Sequence, residues 1–154
     1  MATSIEYESI FSSFLGYIDD YELASYTETS AYELMGEYLH KTVAEPYVRR
    51  LFSSISLDDD EEVVNFEMSY VVDEESDSDF VETILSKGMV VKWLEPQVKS
   101  KLLTAQMFAG KESKWYSQQA HLAELRNLLT DVKADMRGQI RDRGYIYNSY
   151  LEES

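Results

Sequence analysis

Apolar residues recur at helical spacing along most of this chain and switch once to strict alternation. Tyr7, Phe11, Phe14 and Ile18 follow at steps of four, three and four, with Ile10 and Leu15 widening the stripe. That spacing predicts an amphipathic helix over 4–18, capped by Thr3 or Ser4. Asp19 and Asp20 break the pattern and can cap a short following turn. Ala31, Leu34, Met35, Tyr38, Leu39, Thr42 and Val43 give a second stripe, and with it a helix over about 28–44. Pro46 lacks a backbone donor and disfavours helix at Glu45, so Tyr47, Val48, Leu51, Phe52 and Ile55 are expected to form a kinked or separate helix. The acidic run Asp58-Asp59-Asp60-Glu61-Glu62 then marks a loop.

The period changes at Val64, Phe66, Met68 and Tyr70, which alternate with Asn65, Glu67 and Ser69 as in a half-buried strand over 63–71. A strand needs a partner for its backbone groups, either near Leu102–Phe108 or on another molecule, where its exposed edge would serve as an interface. A second acidic loop over 73–79 leads to Phe80, Ile84, Leu85, Met89, Val90, Trp93 and Leu94. These predict a central helix over about 78–94, capped by Asp77 or Ser78 and interrupted at Glu95-Pro96. After Gly110 and a loop over 111–116, Ser117 is a good cap for a helix over about 118–143. Its seam is Leu122, Leu125, Leu129, Val132, Met136 and Ile140, and Gly144 closes it. At 1.5 Å per residue that strut would be about 39 Å long. Beside its seam Arg126, Lys133, Arg137 and Arg141 are spaced to form one basic stripe.

The whole therefore reads as a single, mainly α domain, a helical bundle with a long C-terminal helix and a small β element. Its 154 residues are enough to bury a core, in which Trp93, Leu94, Leu122 and Leu125 are expected to lie. A tail over 144–154 carries Tyr145, Tyr147 and Tyr150, which must tuck back onto the body or be held by a neighbour.

Charge changes this picture. Residues 1–77 hold 19 acidic against 3 basic side chains and residues 78–154 hold 10 against 11, which together account for the net charge of −15. An acidic end and an end studded with Lys and Arg allow head-to-tail docking between copies, with Asp58, Asp59 and Asp60 on one side and the basic stripe on the other. The plainer alternative is a solvated acidic surface that maintains solubility. The stripe itself fits simple solvation, the acidic half of a neighbouring copy, or nucleic acid.

Candidate chemistry is sparse. Without cysteine there is no disulfide or thiolate chemistry, which fits a reducing compartment. The first residues lack the basic and apolar regions of a signal peptide, and no apolar run approaches the roughly 20 residues of a membrane helix. His40 and His121 lie on separate predicted helices with no ligand-spaced companion, so no metal is expected. Glu75, Asp77 and Asp79 alternate like the start of a calcium loop, but Phe80 stands where glycine is needed and Ser86 where a bidentate Glu is needed. Ser117 and His121, one turn apart, read as a cap beside a surface residue. No phosphate cradle, activated nucleophile or paired catalytic carboxylates are visible, so neither a catalytic residue nor a cofactor is expected.

One stretch resembles a known family. Gly88-Met89-Val90-Val91-Lys92-Trp93-Leu94-Glu95-Pro96, a serine-containing linker, Trp115-Tyr116-Ser117 and then Leu122-Ala123-Glu124-Leu125-Arg126 resemble the head-tail connector, or adaptor, proteins of tailed bacteriophages. The likeness covers the C-terminal half, and the N-terminal helices in order and length. It implies a structural virion protein at the head-tail junction, made in the host cytoplasm and assembled into a homo-oligomeric ring of about twelve copies. Its partners would be the portal protein and the downstream neck or tail protein, with genomic DNA passing through unbound and no membrane involved. From a different class, the acidic half could be a DNA mimic that occupies the groove of a basic nucleic-acid-binding partner.

Overall fold

Residues 63–68, where the apolar period changes, form the middle strand of a three-stranded antiparallel sheet in the computed structural model, which describes residues 3–18, 28–107 and 112–146. The elements run β1 (Thr3–Glu6), α1 (Tyr7–Tyr17), α2 (Glu28–Ala44), α3 (Pro46–Arg49), β2 (Phe52–Asp58), β3 (Val63–Met68), α4 (Glu74–Met107) and α5 (Glu112–Ile146). The described chain is thus mostly helical, with five helices and one small sheet. None of these helices is long and apolar enough to cross a membrane. Backbone contacts group the chain into two compact units, Met1–Met89 and Val90–Ser154.

The sheet corrects four expectations at once. Strand β3 has partners on both sides, in the order β1-β3-β2, so neither of its edges is exposed. Ile5 and Leu57 flank Val64 from opposite sides, as Thr3 and Ile55 flank Phe66. Residues 4–6 are therefore strand, and the first helix starts at Tyr7. Thr-Ser-Ile-Glu alternates with only Ile5 buried, too short a pattern to stand out before a strong helical stripe. Phe52 and Ile55 likewise belong to β2, because Pro46 starts only a four-residue helix and the chain enters the sheet after Leu51. The stretch 102–107 is helical and pairs with no strand.

Two helices outrun their predicted limits. Glu74 opens α4 because the Asp73 carboxylate accepts from the Ser76 backbone N–H at 2.7 Å and from its hydroxyl at 3.0 Å, and the acids of the first turn suit the positive helix end. What looked like an acidic loop over 73–79 is a helix start, which also removes the calcium-loop geometry. Pro96 does not end the helix. An interior proline costs about 3 kcal/mol, while each large apolar side chain fully buried contributes roughly 1.5–3 kcal/mol. Val90, Val91, Trp93 and Leu94 are all buried just before it, so burial wins. Helix α5 begins before Ser117 and includes Gly144, giving a rod of about 52 Å rather than 39 Å. Helix α2 matches its expected span.

In the first unit the fully buried side chains include Ile10, Phe14, Leu39, Val48, Val64, Phe66, Val81, Ile84 and Leu85. Helices α2 and α4 meet at Gly88, where a Cβ would overlap the methyl of the fully buried Thr42. The Thr42 hydroxyl donates to the Tyr38 carbonyl at 2.8 Å, so Thr42 has no free rotation with which to yield. In the second unit Leu122, Leu125 and Met136 of α5 are buried, Leu129, Val132 and Ile140 half-buried, and Lys133 reaches Glu95 of α4 at 3.8 Å.

Substituting Gly88→Ala should lower stability by about 1–3 kcal/mol through this overlap. Gly36→Ala, where nothing lies within 4 Å of the added methyl, should raise it by about 0.5–1 kcal/mol. Thermal unfolding followed by circular dichroism separates the two, and equal effects would show that helix propensity alone governs both sites.

Candidate interaction surfaces

The two units differ sharply in charge. Residues 1–89 contain 21 acidic and 4 basic side chains, net −17, whereas residues 90–154 contain 8 and 10, net +2. Any surface chemistry must begin from that division.

In the first unit the acidic run forms the turn between β2 and β3. Asp58 builds it, accepting at one carboxylate oxygen from the backbone N–H of Asp60 at 3.1 Å and of Glu61 at 3.0 Å. Glu62 closes it in the left-handed region at φ 57°, which costs a non-glycine residue roughly 1–2 kcal/mol. Three side chains hold the turn in place. Tyr7 donates its hydroxyl to Asp59 at 2.6 Å and its backbone N–H to the Glu62 carbonyl at 2.9 Å. His40 Nε2 lies 2.9 Å from the same Asp59 carboxylate, and the Tyr32 hydroxyl donates to Glu62 at 3.3 Å. The turn is thereby fastened to both α1 and α2.

The electrostatics follow from these bonds. The Tyr7 and His40 hydrogen bonds hold the Asp59 carboxyl below its ordinary range. Burial and the adjoining Asp59 carboxylate push the Tyr7 phenol well above the usual tyrosine value. Burial and Glu62 push Tyr32 in the same direction. Asp60 and Glu61 are exposed and have no side-chain bond among the described residues, so the tip of the turn presents two unneutralised carboxylates.

The predicted interface residues therefore divide. Phe66 and Met68 point into the core, 1% and 6% exposed, because β3 is the central strand; they present no interface. Asp58 and Asp59 are occupied in holding the hairpin, and Asp60 faces solvent. Arg126 and Arg137 are exposed on α5, Lys133 is half-buried beside Glu95, and Arg141 is exposed with Asp142 at 3.6 Å. Tyr145 falls in the last turn of α5, while Tyr147 and Tyr150 lie outside the described residues, as do Asp19 and Asp20. Trp93, Leu94, Leu122 and Leu125 are buried. Among the described residues no group of three or more acidic or histidine side chains is placed to hold a metal ion. The Tyr7, Tyr32 and His40 fastening was not legible beforehand, since it joins residues up to 55 positions apart and depends on the undetected β1.

Tyr7→Phe should lower stability at neutral pH by about 1 kcal/mol, the worth of a hydrogen bond lost from a partly exposed carboxylate. Because the folded state holds the Tyr7 proton more tightly, that contribution is full below about pH 10 and is lost as pH rises through the raised folded value. The depressed Asp59 value acts oppositely: its contribution is present above the ordinary carboxylate range and is lost as pH falls through the folded value. The gap in melting temperature between wild type and variant should thus close at both alkaline and acidic extremes. A gap constant with pH would dissolve the coupling. No protein-family model, curated protein or solved structure matches the chain.

Proposed function

We propose that this chain is a structural protein of helical-bundle type, a head-tail connector of a tailed bacteriophage that forms a ring joining the portal to the next neck or tail protein. The observation that carries the reading is the confinement of negative charge to one unit, −17 over residues 1–89 against +2 over residues 90–154. Carboxylates repel phosphates, so an acidic unit flanking a passage lets DNA move without adhering to it. The nearly neutral unit is then left for protein contacts, and the resemblance in residues 87–126 falls mostly within it. No catalytic residue is assigned.

The same acidity favours one second reading, a DNA mimic that fills the groove of a basic nucleic-acid-binding protein. The exposed carboxylates of Asp60 and Glu61 support it. The two readings separate by partner. Light scattering of the purified chain, with and without a portal protein from the same genetic neighbourhood, should give a portal-dependent complex of many copies. A small species that ignores portal and captures basic DNA-binding proteins, with affinity falling steeply as salt rises, would establish the mimic instead.

Within the connector reading, Asp60→Asn with Glu61→Gln should leave the melting temperature within about 0.5 kcal/mol equivalent of wild type, because neither side chain holds the turn. Genome passage should be impaired. Neutralising Asp58 or Asp59 as well should unfasten the hairpin, so the whole run is not a clean functional probe. Unchanged infectivity of the double variant would remove the turn from the passage.

A further inference from the structure

The basic stripe of α5 has an acidic counterpart on the same helix. Glu124, Asp131 and Asp135 step by seven and four, and Arg126, Lys133 and Arg137 step by seven and four two residues later. At 3.6 residues per turn, two residues place one row about 160° around the helix from the other and about 3 Å further along it. All six side chains lie beside rather than on the buried seam of Leu122, Leu125 and Met136. Glu124, Asp131, Asp135, Arg126 and Arg137 are exposed, and Lys133 is half-buried at 3.8 Å from Glu95. Gln139 donates to Asp135 at 3.4 Å within the acidic row. Leu128, 38% exposed, adds apolar surface next to that row.

We infer that the acidic flank of α5 docks on the basic flank of α5 in a second copy of this chain, the helices lying parallel and within about 3 Å of level. This deepens the connector reading and rests on it. Charge complementarity selects the occupant: each flank finds its match, in sign and in spacing, on the other flank of the same helix. Direction follows from the order of the steps. Seven-then-four meets seven-then-four only when the helices run the same way; reversing one sets a step of seven against a step of four. Because unlike surfaces meet, the contact is heterologous, and repetition closes a ring or extends a filament rather than stopping at a two-fold dimer. Exposed ion pairs are individually weak, so these rows fix direction and register while the rest of the interface supplies adhesion.

The test uses two full-length variants, Arg126→Glu with Arg137→Glu, and Glu124→Lys with Asp135→Lys, so that the exchanged positions face each other in the proposed register. The first has two acidic flanks and the second two basic ones. Circular dichroism checks that each is folded, and light scattering measures mass with portal protein present. Each variant alone should remain a single copy, and an equimolar mixture should recover the wild-type mass, because the two kinds then alternate. Mixing cannot rescue a misfolded chain, so recovery separates docking from damage. If either variant alone assembles like wild type, or the mixture stays dissociated while wild type assembles, α5 is not the contact although the connector reading survives. A wild-type protein that stays a single copy with portal sinks both.

Discussion

Strand β3 is held from both sides, and much of the first unit depends on that fact. Its hydrogen bonds to β1 bring the start of the chain against residues 63–66, and its bonds to β2 bring the segment after Pro46 against the same strand. Val64, Phe66 and Met68 therefore turn one face inward, where Phe52 meets Phe66 edge-on with ring centres 5.8 Å apart. Because β1 leads directly into α1, its position also sets Tyr7 beside the hairpin turn. The fastening by Tyr7, Tyr32 and His40 is thus a consequence of strand order as much as of the side chains themselves.

This arrangement gives the acidic residues unequal standing. A run of five carboxylates repels itself, and the turn manages that by giving Asp58 to backbone donors, Asp59 to Tyr7 and His40, and Glu62 to Tyr32. Only the tip remains to act on something outside. In α5 the charges are balanced along one rod, with the buried seam on one side and unlike rows on its flanks. The two units solve different problems: the first tolerates excess charge by tying part of it down, and the second sorts its charge by sign.

What the residue pattern disclosed follows the strength of its periodicity. The stripe of α2 spans almost five turns and its expected span of about 28–44 matches, and the alternation read over 63–71 identified β3 against a helical background, although the strand ends at Met68 and leaves Tyr70 exposed beyond it. Of the α5 seam, Leu122, Leu125 and Met136 are buried and Leu129, Val132 and Ile140 half-buried. Where reading failed, a local signal was weaker than a distant one. Four residues of β1 cannot outweigh eleven of α1, and the partner that makes them a strand lies some sixty residues away. Pro96 is a genuine breaker by propensity, overruled by burial of its neighbours. Acids at 73–77 look like loop until their place at a helix start makes them favourable. Of the candidate surfaces, the basic row was visible from spacing alone, whereas the hairpin fastening required the sheet order.

The pairing of Thr3 with Phe66 has a consequence during synthesis. At 5–20 residues per second, a ribosome needs about 3–13 s to extend from one to the other. For those seconds β1 exists without the strand that will hold it, while α1 and α2 can already form from local contacts. The hairpin of β2 and β3 closes over a few residues whereas β1 pairs across some sixty, so loop entropy places closure of the sheet after the hairpin and joins an earlier-made strand to later ones. Until then Val64 and Phe66 stand at an open edge, and it is the early-made strand, waiting nearby, that closes it against other chains.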